Sequence, residues 1–187
     1  MDQKYVFIDR DGVINKDGAG RTEYGYITVW EDFEFLPMVL EGLRKLRSSG
    51  YKCVVISNQK CVGKGIMTED ALEDLTESMC RAVENHGGRI DGVFYCTHLD
   101  EDGCQCRKPK EGLFLKARKE MGIPAFDGKY FIGDSERDMT AGKKVGLKTI
   151  LVLSGKSSRA DAAAWKSKPD HICVDFIEAV KIVLGEI

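Results

Sequence analysis

Acidic and polar side chains follow the short apolar runs of this sequence, where buried strands are expected to end. The carboxyl ends of parallel strands meet at one edge of a sheet, and ligands bind in the crevice beyond that edge. The apolar runs cover 5–8, 53–56, 92–96 and 130–132. We therefore expect the polar residues after them to form one site: Asp9, Asp11, Ser57, Asn58, Gln59, Arg107, Lys108 and Asp134.

The acids of this set predict a magnesium site. Carboxylates held close together repel one another unless a cation lies among them. Ligands that are all oxygen favour a hard ion, and Mg²⁺ commonly keeps several waters and a substrate phosphate. We expect Asp9, Asp11 and Asp134 to hold this ion. The other members of the set carry donors suited to phosphate oxygens: Ser57, Asn58, Gln59, Arg107 and Lys108.

The first two acids have the spacing for a two-step phosphoryl transfer. A carboxylate can act as a nucleophile, so Asp9 is expected to attack phosphorus and form an aspartyl-phosphate. Asp11 can protonate the leaving oxygen and then deprotonate the hydrolytic water, a contribution of roughly 10²–10⁴-fold in rate. Gly12 allows a sharp turn beneath the two acids. Asp138 fits an indirect role beside the metal better than that of a helix-start charge.

The acid pair by itself also has a purely local interpretation. Taken alone, Asp9 and Asp11 are about as compatible with an Asx turn or a helix cap as with catalysis. An EF-hand loop is excluded, because Gly12 stands at its fourth position instead of its sixth and Gly20 stands where the bidentate Glu is required. A Walker P-loop is excluded because Gly65 follows Gly63-Lys64.

A second group of residues has the composition of a metal site. Cys96 and His98 form a Cys-x-His pair, and Cys104 and Cys106 form a Cys-x-Cys pair five residues further on. Three thiolates and one imidazole make a closed tetrahedral zinc site, which is structural because no open position remains. The alternative is a polar loop with incidental thiols. The zinc-binding loop is expected to cover 96–109.

This loop is expected to position the two cations that follow it. Arg107 and Lys108 come directly after Cys106, and Pro109 favours an extended Lys108. A misplacement of about 1 Å can cost on the order of 10²-fold in rate. We predict that Cys53, Cys80 and Cys173 are small core residues and that Cys61 is exposed in the loop after its strand.

Strands and helices alternate along the chain, and the strands are apolar on both faces. This pattern predicts an α/β fold with a three-layer, Rossmann-like parallel sheet, no large cap domain and a small zinc-binding loop. Two more strands are expected at 149–153 and 171–174. Helices are expected to begin near Pro37, Thr68, Gly112, Glu136 and Phe176.

Length and charge restrict the possible partners. The 187 residues fit a single domain over 1–187. Lys and Arg total 28 and Asp and Glu total 30, a net charge of −2 without a basic stripe, so nucleic-acid binding is not expected. The sequence has no apolar run long enough to span a membrane. We expect a cytoplasmic monomer, because no secretory signal is evident and the seven cysteines suit a reducing compartment.

In this order the segments DRDGVIN, ISNQ, RKPK and GDSERD resemble the four motifs of the haloacid dehalogenase (HAD) superfamily. The resemblance implies a HAD-type phosphatase. By motif position it implies that Asp9 is the nucleophile, Asp11 the acid/base, Ser57 the phosphate-binding hydroxyl, Lys108 the motif-three lysine and Asp134 the metal-binding acid. Ser57 stands in place of the commoner Thr.

The Cys-x-His…Cys-x-Cys-Arg-Lys-Pro arrangement is similar to the histidinol-phosphatase and heptose-bisphosphatase branch of the superfamily. Within it, 24–37 and 56–68 look most like the D-glycero-D-manno-heptose 1,7-bisphosphate 7-phosphatases of bacterial surface-polysaccharide synthesis. The resemblance implies hydrolysis of the 7-phosphate of that sugar. An uncapped site suits a bisphosphate, whose second phosphate Arg107 can bind bidentately.

Several alternatives stay open. The five-residue gap after His98 resembles the histidinol-phosphatase domain, and KDGAGRTE (16–23) is inserted beside the expected substrate loop. The chain could therefore hydrolyse histidinol phosphate or another small phosphorylated sugar. A non-enzymatic zinc module and a nucleic-acid 3′-phosphatase are further alternatives, and the net charge disfavours the latter.

Overall fold

The computed structural model describes residues 3–187, and its centre is one sheet of six strands in parallel. The strands are β1 (Lys4–Ile8), β2 (Tyr51–Asn58), β3 (Gly92–Cys96), β4 (Tyr130–Gly133), β5 (Lys148–Val152) and β6 (His171–Cys173). Their spatial order is β3-β2-β1-β4-β5-β6. The order reverses beside β1, which pairs with both β2 and β4, and a crevice at such a reversal is where ligands bind.

Helices cover both faces of the sheet. They are α1 (Val39–Ser48), α2 (Lys60–Gly63), α3 (Glu69–Asn85), α4 (Gly112–Met121), α5 (Glu136–Lys144), α6 (Arg159–Ala164) and α7 (Phe176–Leu184). Buried residues of α1, α3 and α7 pack on one face, and those of α4 and α5 pack on the other. The predicted three-layer arrangement is thus present.

The alternation of side chains along β1 shows why the strands are apolar throughout. Val6 and Ile8 face the core beneath α1, α3 and α7, whereas Tyr5 and Phe7 face the core beneath α4. All four are buried, with exposed fractions of 4% or less. A strand covered on both faces must be apolar at every position, which produces the continuous apolar runs seen in the sequence.

Local signals fix the ends of the predicted helices. Thr68 caps α3, where its hydroxyl accepts a hydrogen bond from the backbone N–H of Ala71 at 3.1 Å. Gly50 follows α1 with a φ of +79°, a conformation that glycine adopts readily. The helices α4 and α5 begin at the predicted residues, Gly112 and Glu136.

Several elements differ from the sequence-based prediction. β2 extends to Asn58, so Ser57 and Asn58 lie on the strand itself instead of after it. The short helices α2 and α6 and a 3₁₀ turn at Trp30–Asp32 were missed, because one or two turns are too short to show a period. Cys61 is buried, not exposed as predicted: α2 turns its thiol inward to within 3.9 Å of the Met67 sulfur.

The edge that holds the carboxyl ends of the strands is covered by loops. Within residues 3–187 the segments that follow the carboxyl ends of β1, β2, β3 and β5 are 9–38, 59–68, 97–111 and 153–158, and the four-residue α2 is the one α-helix among them. The expectation that no large cap domain is present agrees with this arrangement. No helix of the described chain has the length and apolarity needed to traverse a lipid bilayer.

The aromatic cluster beneath α4 should carry much of the stability of that layer. Phe114 is fully buried, and its ring lies edge-on to Phe131 at 5.0 Å and to Phe7 at 5.6 Å. We predict that Phe114→Ala lowers the free energy of unfolding by about 3–5 kcal/mol, because it leaves a cavity. The neighbouring Leu115 is 49% exposed, so Leu115→Ala is the matched control and should cost within about 0.5 kcal/mol. Urea denaturation measures both; equal losses would contradict the packing described.

Candidate active site

Three carboxylates converge where β1 and β4 end. Asp9 follows β1, Asp134 follows β4, and Asp138 lies in the first turn of α5. One oxygen from each lies within 4.8 Å of the others. Asp134 and Asp138 are fully buried and Asp9 is 8% exposed. Water therefore screens these charges poorly, and the repulsion between them is strong.

Gly12 gives the chain room to turn beside this cluster. Its φ is +82°, in the left-handed region that favours glycine. A Cβ atom at this position would lie 2.9 Å from Cγ of Asp134. The sequence-based expectation of a sharp turn at Gly12 is confirmed, and the structure adds a second reason for glycine, which is the close approach of the Asp134 carboxylate.

Lys108 supplies the positive charge nearest to the carboxylates. Its ammonium nitrogen Nζ lies 2.9 Å from Oδ2 of Asp9 and 2.7 Å from Oδ1 of Asp138. It also donates a hydrogen bond of 2.8 Å to the carbonyl oxygen of Ile56. The three protons of the ammonium group thus have three acceptors, which fixes its position although it is fully buried.

The backbone of Lys108 is held by the side chain of Asn58. The N–H of Lys108 donates to Oδ1 of Asn58, and Nδ2 of Asn58 donates to the carbonyl oxygen of Lys108, both at 3.0 Å. The sequence pattern assigns Asn58 to phosphate binding. Asn58 lines the cavity, and both ends of its amide also make this two-point contact, which joins the end of β2 to the loop before α4.

The electrostatics of the cluster favour binding of a further cation. Burial is the main cause that raises the pKa of Asp9 and of Asp134 above the ordinary range, and the charge of Asp138 adds to both. Burial opposes ionisation of Asp138 as well, but Lys108 outweighs it and lowers that pKa. The Oδ1 atom of Asp134 is buried without a hydrogen-bond partner. An unpaired carboxylate oxygen between two other acids fits a divalent metal ion with oxygen ligands.

Asp11 lies apart from these three acids. Its carboxylate accepts hydrogen bonds from Arg10, from Nδ2 of Asn15 at 2.9 Å and from Nε2 of Gln59 at 2.7 Å. Burial acts to raise its pKa, but Arg10 and the amide donors outweigh that effect and lower it. The sequence predicts Asp11 as a metal ligand. Its side chain is not one of the three that can share an ion, although it lines the same cavity.

The residues from motif two divide between the cavity and the interior. Ser57 lines the cavity, and its hydroxyl oxygen accepts a hydrogen bond of 3.2 Å from Nε2 of Gln59. Gln59 is 2% exposed and does not line the cavity. Its predicted contact with phosphate therefore has no geometric support, and its amide instead links Ser57 to Asp11.

A cavity of about 260 Å³ opens above the carboxylates and has cationic walls. Asp9, Asp11, Ser57 and Lys108 line its inner end. Its lining also includes four further cations, Lys60, Arg107, Arg137 and Lys156. Sequence reasoning identified Arg107 alone among these four. Arg137 belongs to GDSERD and could have been found from that segment, whereas Lys156 lies four residues beyond the end of β5, outside every motif.

Arg107 is oriented by the loop that precedes it. Its Nε donates to Oδ1 of Asp100 at 2.5 Å, and it is 7% exposed. Asp100 is 68% exposed at the side chain and lies 3.9 Å from Nζ of Lys60. The predicted placement of Arg107 at the site is consistent with this geometry, because its side chain reaches the cavity wall.

The inserted segment forms another wall. Gly18 packs so closely on the backbone of Tyr26 that an added Cβ would lie 2.6 Å from the carbonyl carbon of Tyr26. Thr22 reinforces the contact, since its hydroxyl donates a hydrogen bond of 2.8 Å to the carbonyl oxygen of Tyr26. Nζ of Lys64 lies 5.4 Å from the centre of the Tyr26 ring. The insert is thus a folded loop that presents Asp17 and Gly18 to the cavity beside Tyr26.

The predicted zinc ligands come together in the loop after β3. The sulfur of Cys96 lies 3.7 Å from that of Cys104 and 3.0 Å from that of Cys106. Nδ1 of His98 lies 3.7 Å from the Cys96 sulfur and 3.1 Å from the Cys106 sulfur. Ligands of a tetrahedral zinc with bonds of about 2.3 Å to sulfur lie roughly 3.5–3.8 Å apart. The cluster is close to that size and has the donor set for zinc.

Known proteins resemble this chain over nearly its whole length. The HAD-hydrolase-like family model matches residues 105–179. The D-glycero-beta-D-manno-heptose-1,7-bisphosphate 7-phosphatase of Pasteurella multocida is 33% identical over 98% of this chain and 98% of its own. The enzyme of that name from Helicobacter pylori strain 26695 is 39% identical over 96% and 97%.

A solved structure agrees with the sequence relatives. The D,D-heptose 1,7-bisphosphate phosphatase of B. bronchiseptica, complexed with magnesium and phosphate, superposes with a TM-score of 0.87 at 27% identity. The match covers 98% of this chain and 99% of that one. Sheet order, carboxylate cluster and motif-three lysine together define a phosphatase of the HAD-like class. Within that class, the chain belongs to the family of the D-glycero-beta-D-manno-heptose-1,7-bisphosphate 7-phosphatases.

The carboxylate cluster generates a prediction about metal and stability. Asp134→Asn removes one buried negative charge and keeps the shape of the side chain. We expect the metal-free variant to be at least as stable as the wild type, because repulsion with Asp9 and Asp138 falls. It should also lose most of the stabilisation by Mg²⁺, which for an ion at 100 times its Kd is about 2.7 kcal/mol.

Thermal unfolding with and without MgCl₂ measures both effects. Asp74→Asn, on an exposed position of α3, is the matched control and should keep the wild-type response to MgCl₂. A full Mg²⁺-induced shift in the Asp134→Asn variant would show that the ion binds elsewhere.

Proposed function

We propose that this protein is a Mg²⁺-dependent phosphatase that hydrolyses the 7-phosphate of D-glycero-D-manno-heptose 1,7-bisphosphate through an aspartyl-phosphate. The observation that carries the proposal is the group formed by Asp9, Asp134, Asp138 and Lys108 at the inner end of a cationic cavity. Family membership supports the reaction, and relatives named for this substrate support the sugar.

The first step transfers the phosphoryl group to Asp9. A carboxylate oxygen of Asp9 forms a bond to phosphorus while the bond from phosphorus to the C7 oxygen of the sugar breaks. Asp11 donates a proton to that oxygen, so C7 of the departing sugar 1-phosphate carries a hydroxyl group instead of an alkoxide. Ser57 donates to a phosphoryl oxygen, where negative charge is concentrated, and the ammonium group of Lys108, 2.9 Å from Asp9, stabilises that charge electrostatically.

The second step returns Asp9 to its starting form. Asp11, now a carboxylate, takes a proton from a water molecule whose oxygen attacks phosphorus. The bond between phosphorus and the Asp9 oxygen breaks, and inorganic phosphate is released. Asp11 then holds the proton that the next turnover requires, so acid and base functions alternate on one residue.

The metal proposal concerns the carboxylates that the structure brings together. Asp9 and Asp134 would hold Mg²⁺, with Asp138 close by and paired to Lys108. When bound, the ion neutralises negative charge on the carboxylates and the phosphoryl oxygens. The structure of the B. bronchiseptica relative with magnesium and phosphate supports this choice of ion.

The charge of the cavity favours a bisphosphate over histidinol phosphate. Lys60, Arg107, Arg137 and Lys156 line the walls, where Asp17 is the acid and lies 3.7 Å from Nζ of Lys156. Asp100 pairs with Arg107 outside the lining. A second phosphate on the substrate is attracted to these cations, and Arg107 can bind it bidentately. The ammonium group of histidinol phosphate would be repelled by the same wall.

This proposal predicts which substrate the enzyme prefers and which variant is inactive. The kcat/KM for heptose 1,7-bisphosphate should exceed that for histidinol phosphate by at least about 100-fold, as expected for about 2.7 kcal/mol of discrimination. Asp9→Asn should abolish Mg²⁺-dependent phosphate release, because an amide is not a competent nucleophile. A phosphate-release assay over sugar bisphosphates and histidinol phosphate measures both. A preference for histidinol phosphate would overturn the substrate assignment, and full activity of Asp9→Asn would overturn the mechanism.

We also propose that Cys96, His98, Cys104 and Cys106 hold a structural zinc ion. Their spacing fits the ion, and all four positions of a tetrahedral site would be filled by protein. Arg107 and Lys108 follow the last ligand. The zinc therefore acts on activity only through the placement of these two side chains.

Removal of zinc should lower activity without changing the chemistry. With Mg²⁺ saturating, a zinc-selective chelator should reduce kcat/KM by about 10-fold or more, because Lys108 becomes less well positioned. Re-addition of zinc should restore activity. Cys104→Ser should reproduce the loss, whereas Cys80→Ser, outside the cluster, is the control. Unchanged turnover of folded, zinc-free protein would reject this role.

A further inference from the structure

We propose that Arg10 and Gln59 are positioning residues that hold the carboxylate of Asp11 in the orientation required for proton transfer. The inference rests on the proposed function, since it concerns the acid/base residue of that reaction. Neither residue lines the cavity, so neither is placed to touch the substrate. Their effect on the reaction would pass through Asp11.

Arg10 grips Asp11 with its guanidinium group. Its Nη2 lies 3.1 Å from both Oδ1 and Oδ2 of Asp11, and its Nε donates to Oδ1 at 3.3 Å. The Arg10 side chain is 1% exposed, whereas that of Asp11 is 24% exposed. A planar guanidinium that meets a carboxylate through several donors fixes its rotation as well as its distance, which a lysine cannot do.

Gln59 completes the contact from the neighbouring strand. Its Nε2 donates to Oδ2 of Asp11 at 2.7 Å and to the hydroxyl oxygen of Ser57 at 3.2 Å. Its Oε1 accepts from Nη2 of Arg10 at 2.9 Å. The Gln59 amide is therefore hydrogen-bonded to Asp11, to Arg10 and to the hydroxyl of Ser57. It fixes the end of β1 relative to the end of β2.

The guanidinium is itself held in place by the interior. Its carbon Cζ lies 5.7 Å from the centre of the Tyr95 ring on β3, a distance suited to a cation–π contact. The Tyr95 hydroxyl lies 3.0 Å from that of Thr76 on α3. Asn15 adds a donor to Oδ1 of Asp11 from the other side. Contacts from β3, from α3 and from Asn15 thus support the carboxylate of Asp11, which lines the cavity.

Loss of this arrangement should have a kinetic effect that a general loss of stability would not produce. A sugar alkoxide leaves only with a proton, whereas p-nitrophenolate leaves without one, so misplacement of the acid slows the first ester selectively. The parameter kcat/KM reports on transfer to Asp9, where the leaving group departs. We expect Gln59→Leu and Arg10→Lys to lower kcat/KM for heptose 1,7-bisphosphate at least about 10-fold and that for p-nitrophenyl phosphate less than about 3-fold.

The experiment compares both variants with the wild type and with Gln3→Leu, an exposed glutamine remote from the cavity. Thermal unfolding with and without MgCl₂ accompanies the kinetics, and folded variants should keep the Mg²⁺ response. If Arg10→Lys does not fold, Gln59→Leu and the isosteric Gln59→Glu, which cannot donate to Asp11, carry the test.

The outcomes distinguish failure of this inference from failure of the proposed phosphatase function. Selective loss on the sugar ester supports it. In folded variants, equal losses of kcat/KM on both esters, no loss, or a gain would overturn it. In each of these cases, Mg²⁺-dependent activity of the wild type would leave the phosphatase assignment intact. Absence of Mg²⁺-dependent hydrolysis of either ester by the wild type would overturn the proposed function itself.

Discussion

Three buried carboxylates share one buried ammonium group, and this imbalance of charge is the constraint on which the rest of the site depends. Asp9 follows β1, and Asp134 and Asp138 lie four residues apart after β4. Lys108 pairs with Asp9 and Asp138, and the exposed ammonium of Lys156 lies 3.9 Å from Asp134. In a poorly screened environment such a group takes up either a proton or a cation, because like charges held this close disfavour full ionisation. The same deficit that makes the cluster unfavourable on its own makes it a strong site for a divalent ion.

The parallel sheet supplies the convergence, but two polar contacts supply the precision. Strand ends bring Asp9 and Ser57 to one edge, which leaves side-chain orientation undefined. Asn58 then fixes the backbone of Lys108, and Gln59 fixes Asp11 relative to Ser57. Gln59 does not line the cavity, whereas Asn58 does. Some polar residues at a strand end thus line the cavity, and others hold those cavity-lining residues in position.

Sequence reasoning predicted the fold and the members of the site more fully than their roles. Apolar runs identified the strands because both faces of the sheet are covered, and the order of the strand ends then placed Asp9, Ser57, Lys108 and Asp134 together. It could not distinguish Gln59 from Ser57, because both are polar residues at the same strand end and only side-chain direction separates them. Sequence reasoning also assigned Asp11 to the metal, because spacing alone does not reveal that Arg10 binds the Asp11 carboxylate.

Long-range contacts account for the remaining differences. Cys61 was expected to be exposed because it follows a strand, but a four-residue helix too short to show periodicity turns it inward. Lys156 reaches the cavity from a loop that carries no motif, so nothing in its local sequence marks it. The Cys/His cluster after β3 was predictable because four metal-binding donors within eleven residues are rare by chance.

The contact between Asn58 and residue 108 is made entirely to backbone atoms of the latter. It therefore does not depend on how many residues the preceding loop contains, only on the N–H and the C=O of residue 108 reaching Asn58 from the turn in which they lie. The loop between β3 and Lys108 can therefore differ in length without loss of this contact, provided that residue 108 still reaches Asn58. Substrate preference can consequently diverge by exchange of the loop while the reacting groups stay in register.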